Sequence, residues 1–301
     1  MQLHGIFALA ALTAAVFSVG LMAVPEPGTA APIIKKGPES CKKCHKSEHA
    51  VWEGSPHGKS FRDIHKRDKA DQIADKVGGG NMRKNALCQQ CHYTMIDKRG
   101  RARADAGPSC ESCHGSANSW IEVHNNEKRP RPERRQETVA MGMIWPDMKY
   151  DIAENCFGCH GLSKLNGSEI DALLNAGHPI NGDYEIVRYS QGSVRHRFYP
   201  PDVKSNARMT KAELANFYAV GQLVSFVDAN EAIKKGSHPK YRAALQKRID
   251  RAKSVIGALP GAGGVLGSPS EANARKIVST IGSVDLSEAI GSYLPAESTY
   301  K

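Results

Sequence analysis

Bulky apolar residues are scarce in this chain of 301 residues. Aromatics make up 6% of it and the mean hydropathy is −0.45, which is thin for the core of a body of about 270 residues. A self-sufficient interior of ordinary size is therefore not expected. Long apolar runs are also missing after Val24, so no later segment is expected to span a bilayer. Met1 to Gly5 contains no lysine or arginine, yet the apolar run Ile6 to Val24 is followed by Pro25-Glu26-Pro27-Gly28 and the small residues Thr29-Ala30-Ala31. Residues 1–31 read as an export signal cleaved near Ala31, or as an uncleaved anchor, since the run is just long enough to cross a membrane. Acidic residues are in deficit, 31 against 41 lysines and arginines, for a formal charge of +10.

No cysteine stands outside one repeated pattern. The eight occur as Cys41-Lys42-Lys43-Cys44-His45, Cys88-Gln89-Gln90-Cys91-His92, Cys110-Glu111-Ser112-Cys113-His114 and Cys156-Phe157-Gly158-Cys159-His160. A Cys-x-x-Cys pair alone is equally half a zinc site, a redox dithiol or part of a disulfide framework. None of these requires a histidine directly after the second cysteine. Twelve histidines in 301 residues make four such placements by chance an event on the order of one in a few hundred thousand. The pattern is that of covalently attached c-type haem. Two thiols form thioethers to the vinyl groups on one porphyrin edge, and the next histidine falls beneath the iron. Four haems are expected, with Cys41, Cys44, Cys88, Cys91, Cys110, Cys113, Cys156 and Cys159 as attachment points and His45, His92, His114 and His160 as proximal ligands.

Haem is attached to such motifs outside the cytoplasm, so a periplasmic location is expected, with tethering to the inner membrane if the N-terminal run is retained. Four porphyrins also provide the apolar faces that the composition lacks. The predicted fold is mainly α with long loops: a multihaem core with little or no sheet over residues 32–206, and a C-terminal helical hairpin within 207–301. Loss of residues 1–31, whose one charged side chain is Glu26, raises the formal charge to +11, and four haems with ionised propionates lower it to about +7. Export argues against a nucleic-acid partner. The remaining positive charge suits redox proteins with an acidic docking surface, periplasmic or membrane-bound.

In chain order, Ile33 to Lys36 forms a short basic lead. A helix is predicted from Pro56-His57 through Phe61, Ile64 and Ile73 to Val77, ended by Gly78-Gly79-Gly80. Ala106-Gly107-Pro108 reads as a turn, Lys128 to Arg135 as a basic, proline-punctuated surface loop, and His178 and His196 as loop histidines. The motif starts are spaced by 47, 22 and 46 residues, so no array of fixed period is present. Farther on, Thr210 and Glu213 form a capping box ahead of a helix through Leu214, Phe217, Val220, Leu223 and Val227. Gly236 is its expected cap, a second helix runs through Tyr241, Leu245, Ile249 and Ile256, and Pro260 to Ser268 reads as a glycine-rich linker.

The chain resembles the tetrahaem cytochrome c family typified by the carrier that accepts electrons from hydroxylamine oxidoreductase in nitrifying bacteria. The shared pieces are the first motif with Trp52 and Ser55-Pro56-His57 behind it, the short interval between motifs two and three, Cys110 to Gly115 with His124 ten residues beyond His114, and the fourth motif. They cover roughly Glu39 to His196; the C-terminal third departs from that carrier. The resemblance implies that His124 lies opposite His45 and His57 opposite His114, with His178 and His196 competing for the haem on His160. It also implies that haem 2, on His92, lacks a strong sixth ligand, unless His65 or His196 closes it.

Two functions follow. One is electron transfer between redox partners through four haems, at low potential because two imidazoles lack the upward shift of a Met/His pair. The alternative is reduction of a small nitrogen oxide at an open haem 2, with Tyr93, Lys98 and Arg99 as polar neighbours. No Cys-x-x-Cys-Lys variant is present, and nothing resembling a signalling module supports a gas sensor.

Overall fold

The computed structural model describes residues 33–301. The expected signal or anchor at 1–31 lies outside the described residues. Among those described are sixteen α-helices and one three-stranded sheet. No described helix is long and apolar enough to cross a membrane. The helices are α1 (Pro38–Lys42), α2 (Lys46–Gly54), α3 (Pro56–Asp63), α4 (Ala70–Lys76), α5 (Ala86–His92), α6 (Cys110–His114), α7 (Ile121–His124) and α8 (Arg131–Ala140). After these come α9 (Lys149–His160), α10 (Gly167–Asn175), α11 (Ile186–Ser190), α12 (Lys211–Ala232), α13 (Pro239–Ile256), α14 (Gly263–Gly267), α15 (Glu271–Ile281) and α16 (Ser287–Ile290). The expectation of a mainly helical fold with little sheet holds.

The sheet is small and local. Strand β1 (Ile34–Lys35) lies parallel to β2 (Thr94–Asp97), and β2 pairs antiparallel with β3 (Ala102–Ala106). The hairpin between β2 and β3 turns through Arg99 and Gly100, both at positive φ (59° and 74°), the conformation that a tight two-residue hairpin requires. Thus the basic lead is a strand, and it ties the approach to motif one to the hairpin between motifs two and three.

Three predicted elements differ. The helix from Pro56 stops at Asp63, passes through a 3-10 turn (Ile64–Lys66) and restarts at Ala70. Its apolar stripe is interrupted by the charged stretch 65–69, where Arg67 turns extended at ψ 141°. The basic stretch after Lys128 is largely helix, because Pro130 and Pro132 occupy the N-cap and the first turn of α8, where a missing N–H costs nothing. Its charge is also internally neutralised, Arg129 pairing with Glu137 at 2.6 Å and Arg135 with Asp147 at 2.8 Å. The glycine-rich stretch contains α14, held down by buried Val265 and Ala262.

The capping box is present: Thr210 Oγ1 accepts from Glu213 N at 3.2 Å, and Glu213 Oε2 accepts from Thr210 N at 2.8 Å. The hairpin of α12 and α13 is present as well. Helix α12 ends at Ala232, with Ile233 as its cap in place of Gly236, which instead packs on the Tyr241 ring. Helix α12 is buried on every side from Ala215 to Val227, which is the pattern of a central core helix rather than a surface one. It contacts α9, α11, α13, α15 and α16. The principal buried cluster joins Tyr150, Phe157, Ile170, Leu174, Ile186 and Val187 to Phe226, Tyr241, Leu245 and Ile281. Residues before α9 have two much smaller clusters, one around Met82, Tyr93 and Met95, the other around Trp120, Met143 and Trp145.

Candidate haem-binding site

Motifs two, three and four each end a helix, so their positions i, i+3 and i+4 share one face, while motif one runs from the end of α1 to the N-cap of α2. Local sequence starts these helices. Pro38 opens α1 at its first position, Asn85 Oδ1 accepts from Leu87 N and Cys88 N at the start of α5, and Ser109 N donates to Ser112 Oγ in α6. All eight cysteines are free thiols, as thioether attachment to a porphyrin requires.

The histidine rings form four facing pairs among the described residues. His45 faces His124 with ring centroids 6.1 Å apart, His57 faces His160 at 6.0 Å, His92 faces His178 at 6.0 Å and His114 faces His196 at 6.2 Å. Two imidazoles on opposite sides of one metal ion, each bonded at about 2.0 Å, place their centroids roughly 6 Å apart. Each pair contains one motif histidine and one histidine from elsewhere, so the residues fit four haems held between two imidazoles.

The arrangement of the rings differs in part from the pairs the resemblance implied. His57 lies opposite His160, not His114, whose ring faces His196. His178 faces His92, and neither His178 nor His196 faces His160, whose ring lies against His57. His65 stands outside the four pairs, its Nδ1 buried without a partner. Loop histidines remote from the motifs can be assigned only when packing brings α3 beside α9 and the 178 and 196 segments back over motifs two and three. His45 and His124 come together as the resemblance implied.

Neighbouring groups hold these rings. The Nδ1–H of His114 donates to Ile144 O at 2.8 Å, that of His178 to Pro179 O at 2.8 Å and that of His196 to Val194 O at 2.6 Å. Such bonds fix the tautomer and leave Nε2 free to ligate. His124 lies edge-on between Trp120 and Trp145, with centroids at 5.7 and 5.4 Å. His160 stacks on buried Tyr184 at 4.3 Å, with 9° between the planes. Burial pushes the His92 and His160 imidazoles down to about 4, with nearby His178 and His57 respectively adding to the effect. Burial also lowers His57, His114, His124 and His178. Near neutral pH these rings are unprotonated, the form a metal takes.

The motifs also adjoin one another. Cys41 and Cys110 are within hydrogen-bond reach, as are Cys91 and Cys159. Asn155 on α9 donates to Cys113 O at 3.1 Å, which joins motifs three and four. Buried Glu111, a variable position of motif three, accepts from Lys36 N, Gly37 N and Ala117 N at 3.0, 2.8 and 2.7 Å. Lys164 donates to Cys159 Sγ at 2.9 Å and to Gln90 O, bridging motifs two and four. Sequence reasoning did not single out Glu111 or Lys164, because nothing in their spacing distinguishes them from ordinary surface charges. Of the residues expected around an open haem 2, Tyr93 is buried against Phe61, while Lys98 and Arg99 lie exposed in the β2–β3 turn. The cations beside His92 are Lys164 and Arg67.

The family model described as "Cytochrome c554 and c-prime" matches residues 40–115. A curated relative, cytochrome c-554 of Nitrosomonas europaea, is 21% identical over 133 residues, which cover 42% of this chain and 57% of that protein. The chain therefore spans little more than half the length of that relative. No solved structure matches. The matched segment holds motifs one to three with Trp52 and Ser55-Pro56-His57.

Proposed function

We propose that this chain is a periplasmic tetrahaem c-type cytochrome that carries electrons between redox proteins. The observation that carries the reading is the set of four histidine pairs, each joining a Cys-x-x-Cys-His histidine to an imidazole from another part of the chain. Cys41 and Cys44, Cys88 and Cys91, Cys110 and Cys113, and Cys156 and Cys159 would each hold one haem. The axial pairs would be His45 with His124, His92 with His178, His114 with His196, and His160 with His57. Bound haem iron supplies a one-electron couple. The chain's own part is to hold two neutral imidazoles per iron, to exclude other ligands, and to keep the attachment points in contact.

His178 opposite His92 supports a carrier rather than an enzyme with an open haem 2. The relative's name, cytochrome c-554, agrees with a cytochrome role. The positive charge favours redox partners that present acidic surfaces, an attraction that salt weakens.

The test is the low-temperature electron paramagnetic resonance spectrum of the oxidised holoprotein, with and without cyanide. Low-spin signals alone, unchanged by cyanide, are expected. The planes of His114 and His196 cross at 81° and those of His45 and His124 at 23°. Crossed imidazole planes leave two iron d orbitals nearly degenerate, so the His114 haem should give the most anisotropic of the four signals. A high-spin component amounting to one iron in four, lost on adding cyanide, would overturn the closed-site reading.

A further inference from the structure

We infer that the C-terminal helical region acts as a clamp that holds His196 over the third haem, with Arg197, Glu213 and Arg208 as positioning residues. The inference rests on the proposal that His196 is the sixth ligand of the haem on His114. Residues 191–210 contain no helix and no strand beyond an isolated bridge between Tyr199 and Asp202. A ligand on such a segment would lose considerable conformational entropy on ordering, about 1–2 kcal/mol per backbone residue. Something outside the segment has to order it.

The ties run to the region that follows. Arg197, next to His196, pairs through Nη2 with Glu213 Oε1 at 2.8 Å, and Glu213 is itself fixed in the capping box of α12. Ser193 N donates to Lys301 O at 2.7 Å, while Lys301 N donates to Arg188 O at 2.9 Å. Gly192 packs so closely on Lys301 that an added Cβ would lie 1.8 Å from the Lys301 carbonyl oxygen. Arg208 pairs with Glu297. Asn206 completes the frame within the loop, accepting from Arg197 N at 2.9 Å and donating to Arg195 O at 2.5 Å. The segment is thus gripped on both sides of His196 by parts of the chain beyond residue 207. In a loop ordered in advance, the imidazole has little left to lose on ligation.

The experiment compares His196→Ala, the double variant Arg197→Met with Arg208→Met, Arg197→Lys and Glu213→Gln, all as holoproteins. The readouts are the high-spin fraction, the rate of cyanide binding and the helical circular dichroism. Glu213→Gln retains an acceptor for Thr210 N but removes the charge facing Arg197. His196→Ala should open one iron in four. The double variant and Glu213→Gln should keep the wild-type helical signal while cyanide binding to that one iron rises roughly two- to tenfold, in keeping with the strength of part-exposed ion pairs. Arg197→Lys should remain close to wild type. If His196→Ala opens an iron and neither clamp variant speeds cyanide binding, the clamp is wrong and the ligand assignment stands. If His196→Ala leaves all four irons low-spin, the ligand assignment fails and the clamp with it.

Discussion

At the scale of single residues, the most consequential group outside the histidines is Arg248. It is 1% exposed, pairs with Asp228 at 2.7 Å, donates to Ser225 Oγ at 3.2 Å and lies 4.3 Å over the Phe157 ring within motif four. Its Nη1 sits against the backbone at Gly161, where an added Cβ would come within 2.5 Å of it. Removing one partner of such a pair leaves an uncompensated buried charge. Arg248→Ala should therefore destabilise the protein by about 3–5 kcal/mol in denaturant titration. A loss below about 1 kcal/mol would mean that the pair behaves like a surface one. In the sequence Arg248 is one of several cations on a basic helix, and only the packing of α13 against α12 and α9 distinguishes it from the exposed Lys247.

At the scale of elements, the start of α12 was readable from Thr210 and Glu213, since caps are local, whereas its end falls at Ala232 and not at the expected Gly236. Its position as the central helix was not readable. Gly221 shows the difference. Within a helix, glycine costs about 1 kcal/mol relative to alanine, so propensity alone predicts that Gly221→Ala stabilises the protein. In the fold, α11 crosses here, and a Cβ on Gly221 would lie 2.2 Å from Ile186 Cγ2. Overpacking of a buried contact costs about 1–3 kcal/mol. The expected outcome is a lower thermal midpoint for Gly221→Ala. A raised midpoint would show that α11 yields at no cost. The break after Asp63 and the helix at Arg131 were missed for a related reason: helical stripes and prolines mark tendencies, and flanking packing decides where a turn closes.

At the scale of the whole molecule, the interior is unevenly distributed. The large cluster joins α9 to the helices that follow it and takes in Leu87 of α5, whereas residues 33–148 otherwise have two small clusters besides motifs one to three and their histidines. Apolar burial is the main favourable contribution to folding, so the first part depends on its haems far more than the second. Protein produced without haem attachment should keep the α12–α13 core and lose order before α9. Limited proteolysis of that haem-free protein is expected to leave a resistant fragment beginning near Lys149. Digestion at similar rates along the whole chain would show that the core needs its haems too.

The sequence by itself determined the chemistry of attachment, because thioether formation depends on residues within five positions of one another and no folding is needed to bring them together. It also determined that the fold is largely helical and that a capped hairpin follows the last motif. Only the tertiary structure decided which imidazole faces which. His57 is 103 residues from His160 and His178 is 86 residues from His92. No local rule connects such positions, and the choice among eight histidines depends on how α3, the 178 loop and the 196 loop pack against the motif helices. That packing also brings the His178 ring to face His92 of the second motif, where no such partner was expected.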